Sequence, residues 1–222
     1  MTARPLRLAV LISGRGSNLK AILDAIGAGR LAAQVVLVLS NRPGAAGLDL
    51  AAAAGLSAAT VDHRQYPDRH AFEQALVTAL DAAQAELLVL AGFMRVLTAD
   101  FVHHYRGRLI NIHPSLLPAF AGLDTHARAL AAGATEHGAS VHFVTAAVDG
   151  GPLIAQIRVP VQAGDTPHTL AARVLPAEHR LYPLVIGWYA AGRLALGGDT
   201  VRLDGLPLAA PVQFAATGGL DE

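Results

Sequence analysis

Asn111, His113 and Asp149 are the residues whose types and spacing point most directly to chemistry. Asn111 interrupts an apolar run, Leu109-Ile110-Asn111-Ile112, that reads as a buried strand ending at His113. Side chains two apart on an extended strand leave the same face, so an amide and an imidazole share one side. Burying both is costly unless partners satisfy them. Pro114 biases His113 towards an extended backbone. The pair is thus delivered to the C-terminal edge of its strand, where open α/β sheets bind ligands. Asp149 precedes Gly150-Gly151, a turn able to aim its carboxylate inward. A carboxylate beside His113 would favour the charged imidazolium and hold one ring orientation. The three then form a set: a neutral donor, a tunable acid or base, and an orienting carboxylate. The chain has no cysteine, and Ser13, Ser17, Ser115 and Ser140 lack the G-x-S-x-G setting of an activated serine. Without a nucleophile of its own, the site suits direct attack of one bound substrate on another. Taken singly, each piece also has a plainer reading, a polar strand end and an Asp-Gly turn.

A second constellation is Ser13-Gly14-Arg15-Gly16-Ser17-Asn18, between a first strand and a first helix. Glycines let backbone N–H groups approach an anion, and a helix N-terminus adds orphan donors and the positive dipole end. The dinucleotide pattern G-x-G-x-x-G is broken by Leu19, and no acid ends the second strand at Ser40-Asn41. The G-K-[ST] of a P-loop is also missing. A lone phosphate monoester fits better than NAD or ATP, with an ordinary strand-to-helix turn as the alternative. The 10 histidines include His103-His104 and the pair His137 and His142, but no cysteine or H-E-x-x-H accompanies them, so no protein-bound metal is expected.

The elements that must position these residues alternate. The spacing predicts strands at Leu6–Ile12, Val35–Leu39, Ala58–Val61 and Glu86–Ala91, with helices over Asn18–Ala28, Ala45–Ala54, Asp68–Ala83 and from Thr98 to His104 between and after them. Beyond Pro118, a loop over Ala119–Asp124 leads to a helix at Thr125–Ala132 and strands at Ala139–Thr145 and Leu153–Val161. A long helix over Thr166–Gly192 follows, with a kink or interruption expected at Pro176 and Pro183. Val201–Leu208 reads as a hairpin turning at Asp204-Gly205, and 209–222 as a flexible tail. The fold class is therefore α/β: a mostly parallel twisted sheet with helices on both faces, Rossmann-like in its N-terminal half. We expect a single domain over 1–208, with a phosphate-binding half to about 105 and a catalytic half from about 106. The chain has 222 residues, 53% of them hydrophobic, enough for a sizeable core. With 17 basic and 17 acidic residues and net charge +0, a nucleic-acid partner is not expected. The apolar stretch at Leu8–Ile12 is too short to span a membrane, and the absence of cysteine is compatible with a reducing cytoplasm.

The stretches Leu11–Leu19, Leu90–Leu97, Leu109–Pro118 and Gly138–Val144, followed by Asp149-Gly150-Gly151-Pro152, resemble the folate-dependent phosphoribosylglycinamide formyltransferases. The resemblance runs in order from about Leu8 to Arg193. Its Asn-x-His-Pro-Ser-Leu-Leu-Pro block is specific to folate-dependent formyl transfer, and its Gly-x-Gly-Ser-Asn loop to the glycinamide ribonucleotide branch. It implies that 10-formyltetrahydrofolate donates a formyl group to glycinamide ribonucleotide in de novo purine synthesis, without metal, in a cytoplasmic monomer or weak homodimer. By the same resemblance Asn111, His113 and Asp149 are the catalytic group. Gly16, Ser17 and Asn18 hold the ribonucleotide phosphate, and Glu178 the ribose hydroxyls. Met94, Arg95, Val96 and Leu97 line the pterin pocket together with Asn111, and Arg69 lies near the glutamate end of the folate. The chain departs from the family at Ala119–Asp124, where many relatives carry Lys or Pro, an aromatic, Pro and Gly, and at Leu175, where some have a polar residue. Formyltetrahydrofolate deformylase is the nearest rival, but its relatives carry an added N-terminal domain, and here the first strand begins within ten residues. Methionyl-tRNA formyltransferase calls for a C-terminal tRNA-binding domain and basic surface. A non-catalytic nucleotide-binding module would not need Asn111, His113 and Asp149 together.

Overall fold

The computed structural model describes residues 4–216. The chain divides into two compact units, Met1–Asn111 and Ile112–Glu222, so the division falls inside a strand rather than ahead of it. The first unit alternates as its apolar runs predict. It comprises β1 (Leu6–Ile12), α1 (Ser17–Gly27), β2 (Ala33–Ser40), α2 (Ala46–Ala53), β3 (Ala58–Thr60), α3 (Arg69–Ala82), β4 (Leu87–Leu90), α4 (Ala99–His104) and the start of β5 (Leu109–His113). All of its strand pairings are parallel, β3 on β2, β2 on β1, β1 on β4 and β4 on β5. Continuous apolar strands suit a sheet buried on both faces, and Leu8 to Ile12 are fully buried. Polar residues set the helix starts. Asp68 caps α3 by accepting from Ala71 N–H at 2.8 Å. Thr98 caps α4, and its own hydroxyl and N–H donate to the buried Glu73 carboxylate.

The second unit takes β5 to its end and continues with α5 (Thr125–Ala131), β6 (Glu136–Phe143), β7 (Leu153–Pro160) and α6 (Pro167–Ala190). It closes with β8 (Leu194–Gly197), β9 (Thr200–Leu203), β10 (Leu206–Pro207) and β11 (Val212–Ala215). Strands β6 and β7 pair antiparallel, and β11 pairs parallel with β7. Strands β8, β9 and β10 form a small antiparallel sheet that turns at Asp204-Gly205, where both residues have positive φ. Eight strands belong to the main sheet and three to this hairpin sheet, so the architecture is α/β and mostly parallel.

Three expectations need correction. Strand β6 begins at Glu136 and ends at Phe143, because its pairing with β7 runs from Glu136 opposite Pro160 to His142 opposite Leu153. Of the kink or interruption expected at Pro176 and Pro183, the interruption does not occur: helix α6 is continuous through both. Each proline costs about 3 kcal/mol or more inside a helix. Burial of Leu170, Val174, Leu181, Val185, Ile186 and Trp188, in a helix that packs chiefly on β6 and β7, outweighs that, at about 1.5–3 kcal/mol for each aliphatic side chain. The stretch from 209 is not all tail: Val212–Ala215 add to the edge of β7, with Gln213 Nε2 donating to Gln156 Oε1 at 2.9 Å and the Phe214 ring 6.2 Å from Trp188. The last residues of that expected tail, 217–222, lie outside the described residues. No local signal marks strand β8; four residues without strong β formers become a strand only by pairing with β9.

Candidate active site

Within the second unit, β5 ends at His113 and a turn after β6 carries Asp149. Asp149 Oδ2 lies 3.3 Å from His113 Nδ1. The turn can come this close because residue 151 is glycine: a Cβ there would sit 1.8 Å from the Phe143 carbonyl oxygen. Asp149 takes positive φ, a conformation aspartate tolerates better than most residues. The opposite ring nitrogen of His113, Nε2, lies 3.1 Å from the Phe120 carbonyl oxygen. Both ring nitrogens therefore face acceptors. An imidazolium satisfies both with N–H donors, whereas a neutral ring satisfies only one.

The Ala119–Asp124 loop closes round this pair through its main chain. Gly122 N–H donates to Asp149 Oδ2 at 2.8 Å, and Phe120 supplies the carbonyl beside His113. Arg128 holds the loop from below, its Nη1 donating to Ala121 O at 2.6 Å. His142 completes the surroundings. It is buried, its Nδ1 donates to Phe143 O at 2.9 Å, and its Nε2 faces Asp149 Oδ1 at 3.8 Å. Burial pushes its pKa down, against the raising effects of the Phe143 carbonyl and the Asp149 charge. A neutral His142 keeps its proton on Nδ1 and leaves Asp149 to His113.

His126 and His137 form a second imidazole contact in this unit, Nδ1 to Nε2 at 3.1 Å with the rings at 81°. Burial, and then the charges of His126 and His113, push His137 down to about 4. His126 is lowered by burial and by His113. One neutral ring can donate to the other, but two protonated rings would set N–H against N–H. A histidine with a depressed folded pKa contributes stability that is fully present above its unfolded value and is lost as pH falls towards its folded one. The chain should therefore lose stability between pH of about 6.5 and about 4. Thermal melts across that window should show a downward slope that His137→Gln flattens; an equal slope in the variant would assign the loss to other groups.

The first unit holds the other candidates. Gly16 takes left-handed φ of 75° and precedes Ser17, the first residue of α1. Gly16 and Asn18 are buried and Ser17 is half-buried. Ser13, just before this loop, is buried and donates to Asn41 Oδ1 at 2.5 Å while accepting from Met94 N–H at 2.7 Å. It thereby ties the glycine loop to the segment after β4. In that segment Met94 is 57% and Val96 50% exposed, Leu97 is buried and Arg95 is half-buried, an apolar surface held open beside a cation. Arg69 is exposed at the start of α3. Asn111 is half-buried on β5, two residues before His113.

Glu178 is buried in α6 of the second unit, outside the His113–Asp149 contact. Sequence reasoning missed Phe120, Gly122 and His142. For His142 a signal existed, a polar residue on the predicted strand 139–145; Phe120 and Gly122 act through backbone atoms and left none. Among the described residues no group of three or more His, Cys, Asp or Glu side chains is placed to hold a metal ion. No helix among them is long and apolar enough to cross a membrane.

Comparison with known proteins gives one answer. The family model described as formyl transferase matches residues 6–186. The chain is 48% identical over 211 residues to phosphoribosylglycinamide formyltransferase of Escherichia coli (strain K12), covering 95% of this chain and 99% of that one. It is 44% identical over 191 residues to the human trifunctional purine biosynthetic protein adenosine-3, covering 86% of this chain and 19% of that protein. Among solved structures, phosphoribosylglycinamide formyltransferase of Coxiella burnetii superposes with a TM-score of 0.92 at 52% identity, over 95% of this chain and 99% of that one.

Proposed function

The chain belongs to the formyl transferases, in the phosphoribosylglycinamide formyltransferase family, and on that premise we propose that it moves the formyl group of 10-formyltetrahydrofolate to the amine of glycinamide ribonucleotide, in purine biosynthesis. The observation that carries the proposal is His113, set between the Asp149 carboxylate and the Phe120 carbonyl at the end of β5.

In this reading the glycinamide nitrogen attacks the formyl carbon and a tetrahedral oxyanion forms. The bond from that carbon to N10 of the folate then breaks. The amine loses one proton and N10 gains one, leaving formylglycinamide ribonucleotide and tetrahydrofolate. Alternation along β5 puts Asn111 and His113 on one face of that strand, which suits an amide and an imidazolium that both donate to the oxyanion. The His113 Nε2–H would exchange the Phe120 carbonyl for the oxyanion; such contacts often tighten only when substrate is bound. Asp149 holds the ring through Nδ1 and balances its charge. The exposed apolar side chains of Met94 and Val96 would receive the pterin, with Arg95 and Arg69 as cations for the folate. Gly16, Ser17 and Asn18 would hold the phosphate at the start of α1, and Glu178 the ribose hydroxyls.

Purified protein should transfer formyl from 10-formyltetrahydrofolate to glycinamide ribonucleotide, and a chelator should not slow it. Formate release at the same rate with and without the ribonucleotide would replace the transferase by a hydrolase. Ser17→Ala should raise the ribonucleotide KM about ten- to a hundredfold, the loss of one hydrogen bond to a charged group, and leave kcat nearly unchanged. An unchanged KM would remove Ser17 from the phosphate site.

A further inference from the structure

Helix α2 begins without a side-chain cap. Ala45 stands at its N-cap and makes no side-chain hydrogen bond there. A helix start leaves orphan N–H donors that something must satisfy. Here the donor of Gly47, the second residue of α2, goes to the glycine loop: Gly47 N–H donates to Gly14 O at 3.0 Å. The approach is tight from both sides. A Cβ on Gly16 would lie 2.8 Å from Gly47 Cα. A Cβ on Gly47 would lie 3.1 Å from Gly16 Cα, 3.2 Å from Gly14 O and 2.5 Å from Ile12 Cδ1. Glycine destabilises a helix relative to alanine, and α2 is otherwise rich in alanine and leucine, so Gly47 stands out as a packing requirement.

We propose that Gly47 is a positioning residue for the phosphate loop. Its missing side chain lets α2 seat against Gly14 and Gly16, and its N–H locks the loop carbonyl, so that the Gly16–Asn18 donors stand ready for the anion. The loop in return caps α2. This rests on the reading of Gly16–Asn18 as a phosphate site. The role is specific: Gly47 matters to the extent that the acceptor carries a phosphate.

The test compares glycinamide ribonucleotide with the dephosphorylated riboside as formyl acceptors. In Gly47→Ala the ribonucleotide KM should rise about tenfold, while kcat, the folate KM and kcat/KM for the riboside stay within about twofold, as expected for a small displacement of a binding loop. Part of the crowding at an added Cβ comes from Ile12 Cδ1, which valine lacks. Ile12→Val alone should keep the wild-type KM, and I12V/G47A should still show the phosphate-specific loss. An unchanged ribonucleotide KM in folded G47A overturns the proposal. So does an equal loss for the riboside, or a return to the wild-type KM in I12V/G47A, which would trace the effect to the core. Should G47A not fold, I12V/G47A decides by the same criteria. Ser17→Ala separates the two layers. No effect there removes the phosphate reading itself; an effect of Ser17→Ala without one of Gly47→Ala removes only the role of Gly47.

Discussion

His113→Ala should lower kcat by about 10²–10⁴ while the ribonucleotide KM stays within a few-fold. In the proposed reaction the ring supplies both an N–H to the oxyanion and a mobile proton. Its Nδ1 is occupied at 3.3 Å by Asp149, and its Nε2 is set against a replaceable carbonyl. The truncation leaves the Asp149 carboxylate with the Gly122 N–H at 2.8 Å but without its cationic partner, so the variant should also lose some stability. Compared with a single hydrogen bond to phosphate, worth about 1.5–3 kcal/mol at most, the loss falls on kcat. Steady-state rates, with a melting curve to establish folding, check this. A folded variant within tenfold of the wild-type kcat would falsify the assignment of His113.

Asp149→Asn should lower kcat by about 10²-fold, and it isolates charge from shape. Asparagine tolerates positive φ as aspartate does, whereas most other replacements would strain the turn. Its carbonyl oxygen can take the place of Oδ2 and accept from Gly122 N–H. Its amide then faces His142 Nε2, which is an acceptor because Nδ1 donates to Phe143 O. The backbone and the loop should therefore stay as they are, and only the negative charge 3.3 Å from His113 Nδ1 is lost. Nothing then balances the positive charge that the proposed oxyanion contact calls for on the ring. The ribonucleotide Kd should not move. Normal kcat in the folded variant would exclude Asp149 from the reaction, and a changed Kd would point to a binding role instead.

Most of the first unit was legible because its signals are local. Helices α3 and α4 begin within a residue of where the spacing puts them, capped by Asp68 and Thr98, since a capping side chain acts on a donor within its own turn. The apolar runs of β1 and β4 mark buried parallel strands without reference to their neighbours. The hairpin at Asp204-Gly205 follows from the positive φ those residues tolerate. Legibility failed where an element exists only through its partner. The four residues of β8, Leu194–Gly197, include no β-branched or aromatic side chain, and they form a strand because β9 lies beside them. Val212–Ala215 is likewise a strand because β7 offers it an open edge. Helix α6 runs through two prolines because of burial against β6 and β7, a quantity that local spacing does not contain.

The sequence by itself determined which side chains could do chemistry here. The types and spacings of Asn111, His113 and Asp149, and of the glycine loop, are written in the chain, and strand alternation and proline bias act on neighbouring residues. The tertiary structure alone decided what those side chains face. It set Phe120 O and Gly122 N–H against His113 and Asp149, placed His142 on the far side of the carboxylate, and joined Gly47 to Gly14. The reason is physical. Peptide N–H and C=O groups are nearly the same at every position, so a contact made by the main chain leaves no residue type to read, and only the fold shows which of them is aimed at the site.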